Sequence, residues 1–139
     1  MSTYENGAFR SNDNGNSWSP ASNGLPMNLS GGTYKTLYTL INIDASLFVG
    51  TANGVYKTDD NAITWVIAST GLPIESTSQN PRAVTTLAMI GSTIYAAPLN
   101  NGIYASMDKG ATWTHQGMGS RTCVVCASGN NLFACTQNY

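Results

Sequence analysis

Three stretches decide the fold: Gly7-Ala-Phe-Arg-Ser-Asn-Asp-Asn-Gly-Asn-Ser-Trp18, Gly54-Val-Tyr-Lys-Thr-Asp-Asp-Asn-Ala-Ile-Thr-Trp65 and Gly102-Ile-Tyr-Ala-Ser-Met-Asp-Lys-Gly-Ala-Thr-Trp113. They align position for position, and the three tryptophans of the chain stand 47 and then 48 residues apart. A fixed period of this kind marks a repeat architecture, in which each unit buries its apolar face against its neighbours. A second block recurs between the first: Leu47-Phe-Val-Gly50, Ile94-Tyr-Ala-Ala97 and Leu132-Phe-Ala-Cys135. Each follows a polar turn, namely Asp44-Ala-Ser46, Gly91-Ser-Thr93 and Gly129-Asn-Asn131, and before each turn lies a β-rich run over 36–43, 83–90 and 122–128.

The unit therefore reads as four short strands. A is the run before the turn, B the Leu-Phe segment, C the Gly-Val-Tyr segment, and D begins at the tryptophan. Short strands divided by Gly, Asn and Asp turns, with no helical period, predict an all-β chain. A period of about 40–50 residues with four strands in each unit predicts a β-propeller of four-stranded antiparallel blades. Along the chain the order is C-D, A-B-C-D, A-B-C-D, A-B. It divides into residues 1–35 (strands C-D of a shared blade), 36–82 (a blade), 83–121 (a blade) and 122–139 (strands A-B of a shared blade). Three blade-equivalents are too few for a ring, since propellers use roughly 4–8. Two copies related by a two-fold axis, the commonest oligomer symmetry, would pair A-B of one with C-D of the other and make six blades. The expectation is such a homodimer; a fragment of a longer propeller and a nine-bladed trimer are the alternatives.

Composition narrows the function classes. The 139 residues carry six Lys and Arg against seven Asp and Glu, a formal net charge of −1, and only 9% are charged, where an average domain has roughly 25%. No basic excess is present to neutralise a phosphate backbone, so nucleic acid is not an expected partner. No run approaches the ~20 apolar residues of a membrane helix, and Met1-Ser2-Thr3-Tyr4-Glu5 does not read as a secretory signal. No cofactor or metal is implied, and the sequence assigns no compartment.

Ser11-x-Asp13-x-Gly15-x-Ser17-Trp18 and Ser106-x-Asp108-x-Gly110-x-Thr112-Trp113 resemble the Asp-box (BNR) motif, Ser/Thr-x-Asp-x-Gly-x-Ser/Thr-Trp. Thr58-x-Asp60-x-Ala62-x-Thr64-Trp65 departs from it only at Ala62. The "Asn-Gly-Leu-Pro" at 23–26 and "Thr-Gly-Leu-Pro" at 70–73 are also similar to bacterial BNR-repeat proteins. Sialidases, sortilin-type receptors, some xyloglucan-degrading hydrolases and propeller-type photosystem II assembly factors carry such boxes. The resemblance implies a propeller with each box in its C–D turn, on the face opposite the usual active site. The physical role expected of the box is to hold that turn: Asp accepts backbone N–H groups, Gly takes φ > 0, and Trp packs beneath. Asp13, Asp60 and Asp108 are accordingly expected to be structural, and Ala62 should strain its turn by ~1 kcal/mol and distort the middle box slightly.

Binding, on this layout, belongs to the D–A and B–C connections at the other end. Trp18 to Leu47 and Trp65 to Ile94 both span 29 positions, but Trp113 to Leu132 only 19; long loops on a rigid scaffold are where ligands are met. Tyr4, Tyr34, Glu75, Asn80, Arg82, Asn100 and Arg121 lie on or beside these connections. They make a face of low charge suited to hydrogen bonding and ring stacking against sugars.

Catalysis has less to draw on. The chain has three arginines, Arg10, Arg82 and Arg121. Arg10 aligns with Lys57 and Ala105 on strand C rather than with the first inner-strand position that the sialidase resemblance implies, and only Glu5 and Glu75 remain as an acid/base pair for glycoside hydrolysis. Cys123, Cys126 and Cys135 align with Thr85, Ala88 and Ala97, which favours small buried thiols over a disulfide. Strand geometry points residues three apart to opposite faces, so Cys123-Val-Val-Cys126 is a poor metal or redox knuckle. The expectation is a non-catalytic binding module, with carbohydrate as one ligand class. A structural or protein-interaction scaffold is the alternative, and a sialidase-like glycoside hydrolase comes third.

Overall fold

A computed structural model describes residues 6–29, 32–118 and 122–136, side chains 122 and 123 excepted. Within it the chain is all-β. Twelve strands run β1 (Phe9–Arg10), β2 (Ser19–Pro20), β3 (Leu37–Ile43), β4 (Ser46–Thr51), β5 (Gly54–Thr58) and β6 (Val66–Ile67). They continue as β7 (Val84–Ile90), β8 (Thr93–Pro98), β9 (Tyr104–Ser106), β10 (Thr114–His115), β11 (Thr122–Ser128) and β12 (Asn131–Thr136). Neighbours in sequence pair antiparallel, giving four sheets: β1-β2, β3-β4-β5-β6, β7-β8-β9-β10 and β11-β12. None of the described strands closes a sheet on itself.

Two-residue turns at 44–45, 91–92 and 129–130 join the first two strands of each unit, with φ > 0 at Asp44, Gly91 and Gly129. The right-handed twist of the flanking strands favours such turns. Register follows the repeat: Leu40 faces Val49, Leu87 faces Ala96 and Val125 faces Ala134. Alternate side chains then form one apolar layer on each face. Sheet β3–β6 turns Val55 and Phe48 toward sheet β7–β10, where Leu87, Ile94 and Ala96 complete one core. Its other face offers Val49 and Leu37 to Ala8 and Ala21 of the first sheet. On the far face of β7–β10, Ala88, Ala97 and Ile103 meet Val125. The first strands of successive sheets are close neighbours, β3 with β7 and β7 with β11.

The tryptophans join the sheets rather than lying beneath their own turns as expected. The indole N–H of Trp65 donates to the Ala21 carbonyl of the preceding unit at 2.8 Å, and that of Trp113 to Ala68 at 2.8 Å. Their backbone N–H groups bond Asn23 and Thr70 carbonyls at 2.8 and 2.9 Å. Both rings are 3% exposed, whereas Trp18 is 51% exposed, because no sheet precedes it among the described residues.

This docking explains the Gly-Leu-Pro repeats. A Cβ on Gly24 would lie 2.2 Å from the Trp65 carbonyl oxygen, and one on Gly71 2.3 Å from that of Trp113. Leu25 and Leu72 are buried in the two cores beside those tryptophans. Ser22 and Ser69, 5% and 8% exposed, close the opposite side. Each hydroxyl accepts from the strand-C N–H (Ala8 2.8 Å, Val55 2.9 Å) and donates to the same residue's carbonyl.

The thiols differ from expectation. Cys126 and Cys135 are exposed; the side chain of Cys123 lies outside the described residues. Their counterparts Ala88 and Ala97 are covered by β11–β12, but the corresponding face of β11–β12 has no described sheet against it.

Gly71→Ala is expected to destabilise by well over the ~1 kcal/mol of a left-handed alanine, since its methyl meets backbone. Trp113→Phe, which leaves the Ala68 carbonyl unpaired in the core, should cost ~1–3 kcal/mol. Trp18→Phe should cost the isolated chain almost nothing. Urea unfolding of the three variants checks the ranking.

Candidate functional site

The units present two ends of different character. At one end lie the boxes and the A–B turns. Asp13 accepts from the Ser11 hydroxyl at 2.7 Å, the Ser17 N–H at 2.9 Å and the Ser17 hydroxyl at 2.5 Å. Asp108 repeats this with Ser106 and with the N–H and hydroxyl of Thr112. Asp60 does so with Thr58 and Thr64 and adds the Ile63 N–H.

These bonds stabilise the charged form. They hold Asp13 at about 2, chiefly through the Ser17 hydroxyl, and Asp108 at about 2, chiefly through that of Thr112. Asp60 lies further below the ordinary carboxylate range, with Thr58 the largest cause. Each carboxylate is thus fully engaged inside its own turn. The middle box keeps its network despite Ala62: φ is +62° against +90° at Gly15 and +82° at Gly110. The N–H to hydroxyl bond lengthens only to 3.1 Å from 2.8 Å in the two glycine boxes.

Further polar links tie this end together. The Ser46 hydroxyl donates to Asp59 at 2.5 Å and, ahead of the adjacent Lys57, lowers the Asp59 carboxyl. Lys109 reaches back to Asp44 of the preceding unit at 3.0 Å. Arg10 bonds the Asn61 carbonyl at 2.7 Å, while its Nε is buried with no partner among the described residues. It borders a cleft of ≈ 350 Å³ between the first two sheets, lined by Leu40, Asn42, Leu47, Ala62 and Trp65 among others.

At the opposite end, each long D–A connection folds into a short hairpin. In the first, the Asn28 N–H bonds Thr33 and the Lys35 N–H bonds Pro26, both at 2.8 Å, with Met27 bridged to Tyr34. In the second, Glu75 bonds Asn80 and Arg82 bonds Pro73, again at 2.8 Å, with Ile74 bridged to Pro81. The B–C turns share this end, for the Leu99 N–H bonds the Ala83 carbonyl at 2.8 Å and the Ala52 N–H bonds Thr36 at 2.8 Å.

The expected ligand residues separate on these facts. Glu75, Asn80 and Arg82 share one hairpin, and the Arg82 guanidinium pairs with Glu75 at 3.3 Å. Asn100, exposed with φ +60°, sits in the adjoining turn. Tyr34 lies apart in the first hairpin, half-buried, and packs against the core beside Gly7. Tyr4, Glu5 and Arg121 lie outside the described residues. Arg10 and Arg82 occupy opposite ends of the sheets and make no common anion pocket. His115 rests edge-on against Tyr104, centroids 5.1 Å apart. Among the described residues no three His, Cys, Asp or Glu side chains form a metal-binding group, and no helix is long and apolar enough to cross a membrane.

Sequence reading missed Asn28, Thr33 and Lys35. They stand at the repeat positions of Glu75, Asn80 and Arg82, and the shared Gly-Leu-Pro before each hairpin was the signal. The chain matches no family model, no curated protein and no solved structure.

The box carboxylates make stability acid-sensitive in a defined window. Their folded pKa values lie below the unfolded one, so their contribution is complete above about pH 4 and is lost as pH falls toward about 2. Thermal unfolding between pH 6 and pH 2 should show this drop, and Asp108→Asn should start lower and fall less across the window. An equal fall in the variant would remove the box as its source.

Proposed function

We propose that the chain is a non-catalytic binding module built as a segment of an Asp-box β-propeller, its ligand engaged by the hairpins over 26–35 and 73–82 and the adjoining B–C turns. Four antiparallel sheets in repeat register, converging along their first strands β3, β7 and β11, support the propeller reading. On that reading the ring is completed by a second copy.

One observation carries the binding reading: the division of labour between the two ends. Every box aspartate is consumed inside its turn, whereas Glu75, Asn80, Arg82 and Asn100 hold side chains at the hairpin end that no core requires. Amide, carboxylate and guanidinium groups on a low-charge surface match the hydroxyl pairs of a carbohydrate, which accept and donate in planar, bidentate geometry. A glycosidase would need two carboxyls about 5–10 Å apart across a bond. Glu75, committed to Arg82, is a poor member of such a pair.

A second reading, contact with a protein, is favoured by the apolar side chains on the same hairpins. Leu29 is fully exposed, and Met27 and Ile74 are about half exposed, a pattern of isolated apolar anchors among polar groups. A glycan array separates the two. Binding is expected to fall by an order of magnitude or more in Arg82→Ala and Asn80→Ala, with both variants folded. A blank array transfers the assignment to the protein-contact reading, and turnover of a fluorogenic glycoside would overturn both.

A further inference from the structure

Two surfaces in the described chain are exposed where their repeat equivalents are buried, and they are complementary. The first belongs to β11–β12. Its outward face shows Val124, Cys126, Phe133 and Cys135, with Phe133 53% exposed. The same position in β4 is Phe48, 0% exposed and packed under the next unit's box, so close that a Cβ on Gly110 would lie 2.6 Å from its ring. The second is the ≈ 350 Å³ cleft beside β1–β2. Leu40, Leu47 and Ala62 line it, at the repeat positions of Leu87, Ile94 and Gly110, the group that receives Phe48 on the next sheet.

The tryptophan clamp shows the same half-made state. Trp18 has the repeat position of Trp65 and Trp113 but is half exposed. At the other end of the chain Gln116 has the repeat position of Ala21 and Ala68. Its N–H bonds the Ile103 carbonyl at 2.8 Å, as Ala21 bonds Ala8 at 2.9 Å and Ala68 bonds Val55 at 2.8 Å. Its carbonyl is therefore set in the same frame, and no tryptophan of its own chain stands against it.

We propose that a second copy of this chain docks on these surfaces: its β1–β2 ribbon extends sheet β11–β12, its Trp18 indole donates to the Gln116 carbonyl, and Phe133 enters its Arg10 cleft. The inference rests on the propeller reading above and adds the contacts that make the seam. Register comes from the complete sheets, where Phe48 faces Lys57 and Tyr95 faces Ala105; by the repeat, Phe133 faces the partner's Arg10. In the complete sheet the Lys57 ammonium lies 5.7 Å from the Phe48 ring centre, and the Arg10 guanidinium, with its buried unpaired Nε, gains the same cation–π contact. The repeat is imperfect at one point. The methyl of Ala62 occupies space that Gly110 leaves to Phe48, so the Phe133 ring has to stand further from Ala62 than Phe48 stands from Gly110. Under a two-fold axis both seams form together, and the open edges of β12 and β1, which otherwise invite uncontrolled pairing, are both covered.

Light scattering on the 139-residue protein at micromolar concentration is expected to give twice the chain mass of 14.7 kDa. Trp18→Phe and Phe133→Ser change side chains exposed in the single chain, so both should keep the β-sheet circular dichroism while the mass falls to one chain. A monomeric parent, a trimer mass, or dimers unaffected by either variant would overturn the docking. Ala8→Cys tests the register, because Gly50 faces Val55 in the complete sheet and Ala8 should therefore face the partner's Cys135. Mild oxidation should link the copies, and adding Cys135→Ser should abolish the link; an unlinked dimer refutes this register. A blank glycan array leaves these masses untouched, and a folded monomer refutes the docking without touching the hairpin-end reading.

Discussion

Everything in this structure hangs on a tryptophan indole that leaves its own sheet and bonds a backbone carbonyl of the sheet before it. The four-stranded sheets are short, and their last strands, β6 and β10, are only two residues long. A ribbon of that size holds its shape only when both faces are covered. Trp65 and Trp113 supply that cover and, because an indole has one donor and a fixed plane, also fix the angle at which one unit meets the next. An aliphatic side chain would bury apolar area without imposing a direction.

The clamp constrains its surroundings in sequence. The carbonyl must be presented by an extended segment held from behind, which is the work of Ser22 and Ser69. The chain must then turn without a side chain where the incoming tryptophan backbone passes, which is the work of Gly24 and Gly71. In the third unit Gly117 and Met118, both with φ > 0, replace this arrangement, and the Gly117 carbonyl accepts the Ile103 N–H in place of a serine hydroxyl. The Gln116 peptide keeps its place because its bond to Ile103 is the strand bond itself and needs no side chain.

The strands and their order were legible because period-two alternation and turn residues are local signals, and a 47-residue repeat lets three weak copies reinforce one another. The box networks were legible for the same reason, since Ser11, Asp13 and Ser17 bond within one short turn, to each other and to Gly15. The partner of each tryptophan was not, because a carbonyl carries no residue identity: Ala21 and Ala68 look like filler until the indole is seen against them. Gly-Leu-Pro was visible as a repeat, yet it read as part of a binding loop, since glycine and proline report turns without saying what passes beside them. The thiols at Cys126 and Cys135 were misplaced because alignment carried over the burial of Ala88 and Ala97, and burial belongs to the neighbouring sheet as much as to the residue.

The low charge of the chain takes on meaning from this division. Of its seven acidic residues, Glu5 lies outside the described residues, three hold boxes, and Asp59 and Asp44 fasten the turns beside them. Glu75 is left at the hairpin end, and Arg82 answers it. Under the proposed function, a change of ligand needs only substitutions in the two hairpins and the adjoining turns, away from the tryptophan clamps. On the proposed function and docking, binding and assembly vary independently: one is written in the hairpins, the other in Trp18, Phe133 and the carbonyl of Gln116.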